Sequence, residues 1–349
     1  MGGNGMVIKT LNTQRNCSID LFRLVCAVMV VSIHTHPLSG ISDALTFFIN
    51  DVFPRIAVPF FFCTSGYYYI RALRAGKTVF KKTFLHLLTI YSAWSAIYFL
   101  KKLLVVFASN GSLLDWILTC VKNYFIFGSE YHLWFFPALF FCLFVVTLFY
   151  KIKQLRLLFC FSLALYALGC LGCSYYAIGE QIPVVQQIIN LPQFEIIRRV
   201  VLMGLPFYML GYALDAACRK IRGKRLTMGL VISVVLFLAE IVLVTVLGMQ
   251  KNVIITFGLY TLLLFVMLFL LQHPFTVREK TAHYARGIAN FMFYSHPLAM
   301  SVILFLSEAM LPGQTVSTTL LFLLTVLLTS LAGFLLVKMD HTVLNKWLF

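Results

Sequence analysis

Apolar runs as long as a bilayer-spanning helix recur from one end of this 349-residue chain to the other. A hydrocarbon core about 30 Å thick calls for roughly 20 predominantly apolar residues per helix. Only helices and closed barrels satisfy every backbone polar group there. Ten spans are predicted, at about 19–36, 48–70, 83–107, 133–150, 155–173, 199–217, 226–248, 253–271, 287–310 and 315–338. With 61% hydrophobic and 11% charged residues, a soluble globular fold is excluded. The expected class is an all-α polytopic membrane protein of about ten transmembrane helices, with one integral domain over residues 18–349. Residues 1–17 are polar and glycine-rich and are expected to form a flexible cytoplasmic tail.

A formal net charge of +16 could suggest nucleic acid, but its distribution is topological. With the N-terminus in the cytoplasm, the inner connections and the two ends hold twenty of the 28 basic residues, including Arg71, Arg74, Lys151, Arg219 and Arg278. That bias is the positive-inside rule, and it puts both termini in the cytoplasm. The expected location is the plasma (inner) membrane, with the lipid bilayer as the first partner and no nucleic-acid role. No cleavable signal sequence is apparent, so the first span is expected to stay as an anchor. Among the outer connections, 108–132 shows the apolar periodicity of an interfacial amphipathic helix, and 174–198, with Pro183 and Pro192, reads as an irregular cap.

The first span carries an arginine and a histidine, both costly in hydrocarbon unless they face an interior or a wet cavity. Eleven helical steps from Arg23 to His34 leave the two within about 20° of one another and roughly 16 Å apart along the axis. Asp20, one turn before Arg23, offers the plainer alternative of an ion pair that steadies the helix entrance. His36 falls at the outer mouth. Arg71 and Arg74 share a helical face just past span two, where paired guanidiniums match phosphate oxygens or anchor to lipid headgroups. Glu130 and His132 stand at the outer entrance of span four, beside Tyr131 and Trp134, which also suit an interfacial aromatic belt. His296 precedes Pro297 in span nine, where it could serve chemistry or satisfy the carbonyl that the proline frees. The one CxxC, Cys170 to Cys173, has no flanking ligands, and no metal site is expected.

Three of these features together resemble the acyltransferase-3 family of integral membrane acyltransferases. They are Arg23, ten residues and His34 in the first span; PFFFCTSGYYYIRALR, with its Arg71-x-x-Arg74; and the late His296–Pro297. YHLWFFPAL further resembles the membrane half of vancomycin-resistance serine racemases. Pyridoxal-phosphate chemistry is not carried over with it. The resemblance implies an enzyme that moves an acyl group, usually acetyl, from cytoplasmic acyl-CoA to a hydroxyl of a cell-surface glycan or other envelope acceptor. Acyl-CoA would be a donor substrate, and no tightly bound cofactor is implied. His34 would be the catalytic residue, as general base or acyl relay, since neutral imidazole suits either role near pH 7. Arg23, Arg71 and Arg74 would bind CoA, while His36, Glu130, His132 and His296 would orient the acceptor. The alternative is a transport module for a small amino acid such as serine, whose carboxylate an Arg–His cavity could also hold. No internal symmetry of the kind common in transporters is visible.

Overall fold

A computed structural model describes residues 16–108 and 111–339, and among them every regular element is helical. The expectation of a tail over residues 1–17 lies outside the described residues except for two positions. Asn16 caps the first helix, its side chain accepting from Ser18 N and Ile19 N, and Cys17 opens it.

Eleven principal helices follow in order. They are α1 (Cys17–Thr35), α2 (Asp43–Arg74), α3 (Phe80–Ala108), α4 (Leu113–Lys122), α5 (Phe135–Lys151), α6 (Leu155–Leu171), α7 (Phe194–Lys220), α8 (Lys224–Val246), α9 (Phe257–Gln272), α10 (Glu279–Met310) and α11 (Thr318–Lys338). All except α4 fall on the predicted spans. Seven are long and apolar enough to cross a membrane by length and composition, while α5, α6 and α9 are shorter apolar helices. α4 has the amphipathic character expected of it: none of its residues is buried, and Leu114, Leu118 and Val121 are exposed for lipid contact. The expected irregular cap is partly helical, because Pro183 opens a short helix, Pro183–Ile189, at the first-turn position where its missing N–H costs nothing.

The bundle is held by tight pairs, α10 with α11, α1 with α10, α8 with α9, and α2 with α7. The last pair explains the glycine of the Ser65–Gly66–Tyr67 segment. A Cβ on Gly66 would stand 2.0 Å from Tyr208 O, and one on Gly211 would stand 2.3 Å from Tyr67 N. The two backbones approach this closely because each presents a glycine to the other.

Two helices begin irregularly, and both irregular stretches border the interior near His34. α2 passes through a π-helical turn, Phe48–Val52, and a 3-10 turn, Phe53–Ile56, before settling into α-helix at Ala57. α7 is π-helical over Arg198–Gly204. Such segments often mark functional sites and re-aim the side chains they carry.

Candidate functional site

Arg23 and His34 lie along one helix, as the spacing requires, but they open onto different cavities. The His34 cavity, about 280 Å³, is bordered by His34 of α1, Arg55 of α2, Tyr131 and His132 of the turn before α5, and Arg198 and Arg199 of α7. The Arg23 cavity, about 240 Å³, is bordered by Arg23, Thr64, Ser65, His86, Arg286 and Asn290. Phe135 and Phe293 line both. Their ring centroids are 5.7 Å apart, and Phe61 stands 5.4 Å from Phe293 and 6.3 Å from Phe135. Three phenylalanines from three helices thus form a partition between the cavities.

A third cavity, about 240 Å³, shares Ser65, Leu87 and Leu139 with the Arg23 cavity and reaches Ala72 and Val79. It extends the sequence of spaces toward the end of α2 that carries Arg71 and Arg74.

Around His34 the structure gathers histidines from three parts of the chain. His34 stacks on His296 with centroids 5.3 Å apart, and His296 meets His132 edge to face at 4.9 Å. Tyr131 lies 4.6 Å from His34. His296 Nδ1 donates to Phe293 O at 3.0 Å and Met292 O at 3.2 Å. Phe293 O is the carbonyl that Pro297, lacking an N–H, cannot bond. One ring nitrogen therefore repairs the helix, and the other, Nε2, is buried without a partner among the described residues. His132 is fixed similarly. Its Nε2 donates to Tyr294 O at 3.1 Å, and its buried Nδ1 has no partner among the described residues. A carbonyl only accepts, so in the neutral rings the unpartnered nitrogens are acceptors.

The turn that delivers His132 depends on Gly128, whose φ of +89° and whose distance of 2.4 Å from an added Cβ to Trp134 N exclude a side chain. Glu130 braces the same turn from outside the cavity by an ion pair with Lys102 at 3.2 Å. Lys102 also donates to Ser129 O at 2.7 Å.

The other expected site residues are spread out. His36 is exposed at the left-handed end of α1 and does not border the cavity. Arg71 donates to Tyr67 OH at 2.8 Å, and Arg74 lies over the Tyr212 ring at 4.4 Å and pairs with Asp215 at 3.9 Å. Neither borders the Arg23 cavity. Asp20 reaches across to Arg286 of α10 at 3.2 Å. Arg23 Nε is buried without a hydrogen-bond partner among the described residues.

The site also contains residues that sequence reasoning passed over: Arg55, Arg198 and Arg199 at His34, and His86 and Arg286 at Arg23. A usable signal existed for the first three. They are basic residues on the side of the chain that the positive-inside bias leaves poor in them.

The model of the acyltransferase-3 family, described as an acyltransferase domain, matches residues 16–338. The chain belongs to the acyltransferase-3 family. Seven helices long and apolar enough to cross a membrane fit the multi-pass architecture of such a domain. The chain is 36% identical over 182 residues to an amino-acid racemase of Enterococcus faecalis, covering 49% of this chain and 24% of that protein. It is 29% identical over 174 residues to a serine/alanine racemase of Enterococcus gallinarum, covering 49% of this chain and 25% of that one. The acyltransferase-3 chain thus spans about a quarter of the length of these curated relatives. No solved structure matches it.

Proposed function

We propose that this protein is an O-acyltransferase of the bacterial plasma membrane, moving an acetyl group from cytoplasmic acetyl-CoA to a hydroxyl of an extracytoplasmic glycan or other envelope acceptor. The observation that carries the reading is the pair of cavities stacked along α1, Arg23 in one and His34 in the other, meeting at the Phe61–Phe135–Phe293 partition. A cytosolic thioester and an outside hydroxyl need two approaches to one base, and this arrangement supplies them. Both termini are cytoplasmic in this scheme, so the Arg23 end faces the donor.

Arg71 and Arg74 take the nucleotide and pyrophosphate at the membrane surface, where guanidiniums suit phosphate. Arg23 stands deeper, along the route of the pantetheine arm. His34 removes the acceptor's hydroxyl proton as that oxygen bonds to the thioester carbonyl carbon. The carbon–sulfur bond then breaks, and the CoA thiolate takes the proton from His34, leaving acetylated acceptor and free CoA. His132 Nδ1 and His296 Nε2 are hydrogen-bond acceptors, which suits orienting hydroxyl groups and does not suit an oxyanion, which needs donors. Glu130 acts at one remove, through the turn it braces.

Purified protein in lipid nanodiscs, given acetyl-CoA and a membrane extract, tests the reading. Saturable acetyl-CoA binding with extract-dependent CoA release is the expected result. Serine uptake by intact cells that survives His34→Ala, with no acetyl-CoA binding, would replace the reading with transport. A cysteine introduced as Lys77→Cys should resist impermeant thiol reagents added outside intact cells, and ready labelling would invert the orientation.

A further inference from the structure

We propose that the His34 cavity selects an acceptor bearing a compact anion, a carboxylate or a phosphate, through Arg55, Arg198 and Arg199. The inference rests on the acyl-transfer reading of the same site and names the chemistry of the molecule that enters it.

Placement is the first argument. Only seven of the 28 basic residues fall on the outer side under the expected topology. Three of those seven converge on one cavity, so neither topology nor headgroup anchoring accounts for them. They arrive on the two irregular helix beginnings, Arg55 on the 3-10 turn of α2 and Arg198–Arg199 on the π-helical start of α7. Backbone of that kind is tolerated at membrane depth where it lines a cavity.

The second argument is how the guanidiniums are held. Arg55 Nε donates to Asp51 O at 2.8 Å and Nη2 to Asp51 Oδ1 at 2.6 Å. Arg198 bonds Glu195 through Nε and Nη2, and Arg199 bonds it through Nε at 2.7 Å. Two carboxylates therefore brace three guanidiniums, and the Nη1 groups take no part in these bonds. Neither acid borders the cavity. The Glu195 side chain is 52% exposed while that of Arg198 is 6% exposed, so the negative charge faces water and the positive charge faces inward. Trp134 fixes Arg199 further, its ring lying 5.3 Å from the guanidinium carbon.

Two uses of such cations can be told apart. Arginines that stabilise a tetrahedral oxyanion act on every acceptor and appear in kcat. Arginines that hold an anion already on the acceptor act at binding, with the fork geometry that matches carboxylate and phosphate. Preorganisation serves both uses, and what favours the second is the surplus positive charge in the resting cavity. A neutral glycan would leave it uncompensated in a largely apolar enclosure.

The test uses the full chain in nanodiscs and needs no acyl donor. Radiolabelled D-lactate, inorganic phosphate and glycerol serve as a carboxylate, a phosphate and a neutral hydroxyl probe. One of the two anions should bind saturably, at least tenfold tighter than glycerol, and which one identifies the anion. Arg55→Gln and Arg199→Gln should each weaken that binding at least tenfold, and His34→Ala should retain it. Acetyl-CoA binding by each variant reports folding. In the extract assay the bound anion should compete with the acceptor and leave the acetyl-CoA KM unchanged. Equal binding of glycerol and both anions, or anion binding untouched by either arginine variant, overturns the proposal, as does a loss of kcat alone in the arginine variants. Failure to bind acetyl-CoA would discard the acyl-transfer reading instead, and the lactate and phosphate measurements would still decide the anion site.

Discussion

The cavity at Arg23 and the cavity at His34 use arginine in opposite ways. At Arg23 a guanidinium nitrogen is buried with no hydrogen-bond partner among the described residues, while Asp20, one turn away, is committed to Arg286. At His34 three guanidiniums are braced from behind by Asp51 and Glu195. Leaving a buried donor unmet costs roughly 1–3 kcal/mol. A site that carries such a cost is one whose partner arrives with the ligand. A braced guanidinium is already fixed and loses less freedom when an anion binds. On the proposed function the first cavity passes a flexible donor arm and the second recognises a defined acceptor.

The sharpest way to break this division is to remove the base from the second cavity. His34→Ala should lower acceptor-dependent CoA release by about 10²–10⁴-fold, the usual range for a positioned general base. Acetyl-CoA affinity should stay within about twofold, because the donor is held on the other side of the partition. Substantial residual turnover would take His34 out of the chemistry, and a parallel loss of acetyl-CoA binding would merge the two cavities into one functional site.

The next largest effect belongs to the donor end. Replacing Arg71 and Arg74 together by Ala removes charge-assisted contacts worth about 1.5–3 kcal/mol each. Acetyl-CoA affinity should fall at least tenfold by equilibrium binding, with the acceptor KM unchanged. If acetyl-CoA binds as before, these arginines anchor the helix to lipid headgroups or to Tyr212 and Asp215, and the donor enters elsewhere.

The sequence made the fold legible because each span advertises itself locally. A run of apolar residues needs no partner to be recognised, so a helix sits on each of the ten segments that hydropathy picked out. Arg23 and His34 were legible for the same reason, both lying on one helix whose period is known. His132 and His296 stood out as polar groups in apolar surroundings, although the contacts of His296 with His34 and with His132 join segments 262 and 164 residues apart and had no local signal. Arg55, Arg198 and Arg199 were not legible as a cluster, because nothing in their own neighbourhoods shows that two helix beginnings converge. Phe61, Phe135 and Phe293 were the hardest to see. In a chain with 34 phenylalanines their membership of a partition depends entirely on helix packing.

That partition carries the smallest effect and bears most directly on the comparison. The two cavities differ in function only if water and substrates do not pass freely between them. Phe61→Leu keeps an apolar side chain and gives up three edge-to-face ring contacts, with Phe60, Phe135 and Phe293, worth about 0.5–1.5 kcal/mol each. The fold should survive with a modest drop in Tm. If the rings keep water from a thioester waiting at the donor side, acceptor-independent CoA release from acetyl-CoA should rise about three- to tenfold in the leucine variant. Acceptor-dependent transfer should then be less efficient per acetyl-CoA consumed. If the rings are only packing, Tm falls and hydrolysis does not change. Adding Phe293→Leu decides between these outcomes, because a barrier built from three rings should leak further with each ring removed, whereas a packing defect beside an intact barrier should lower stability again without further hydrolysis.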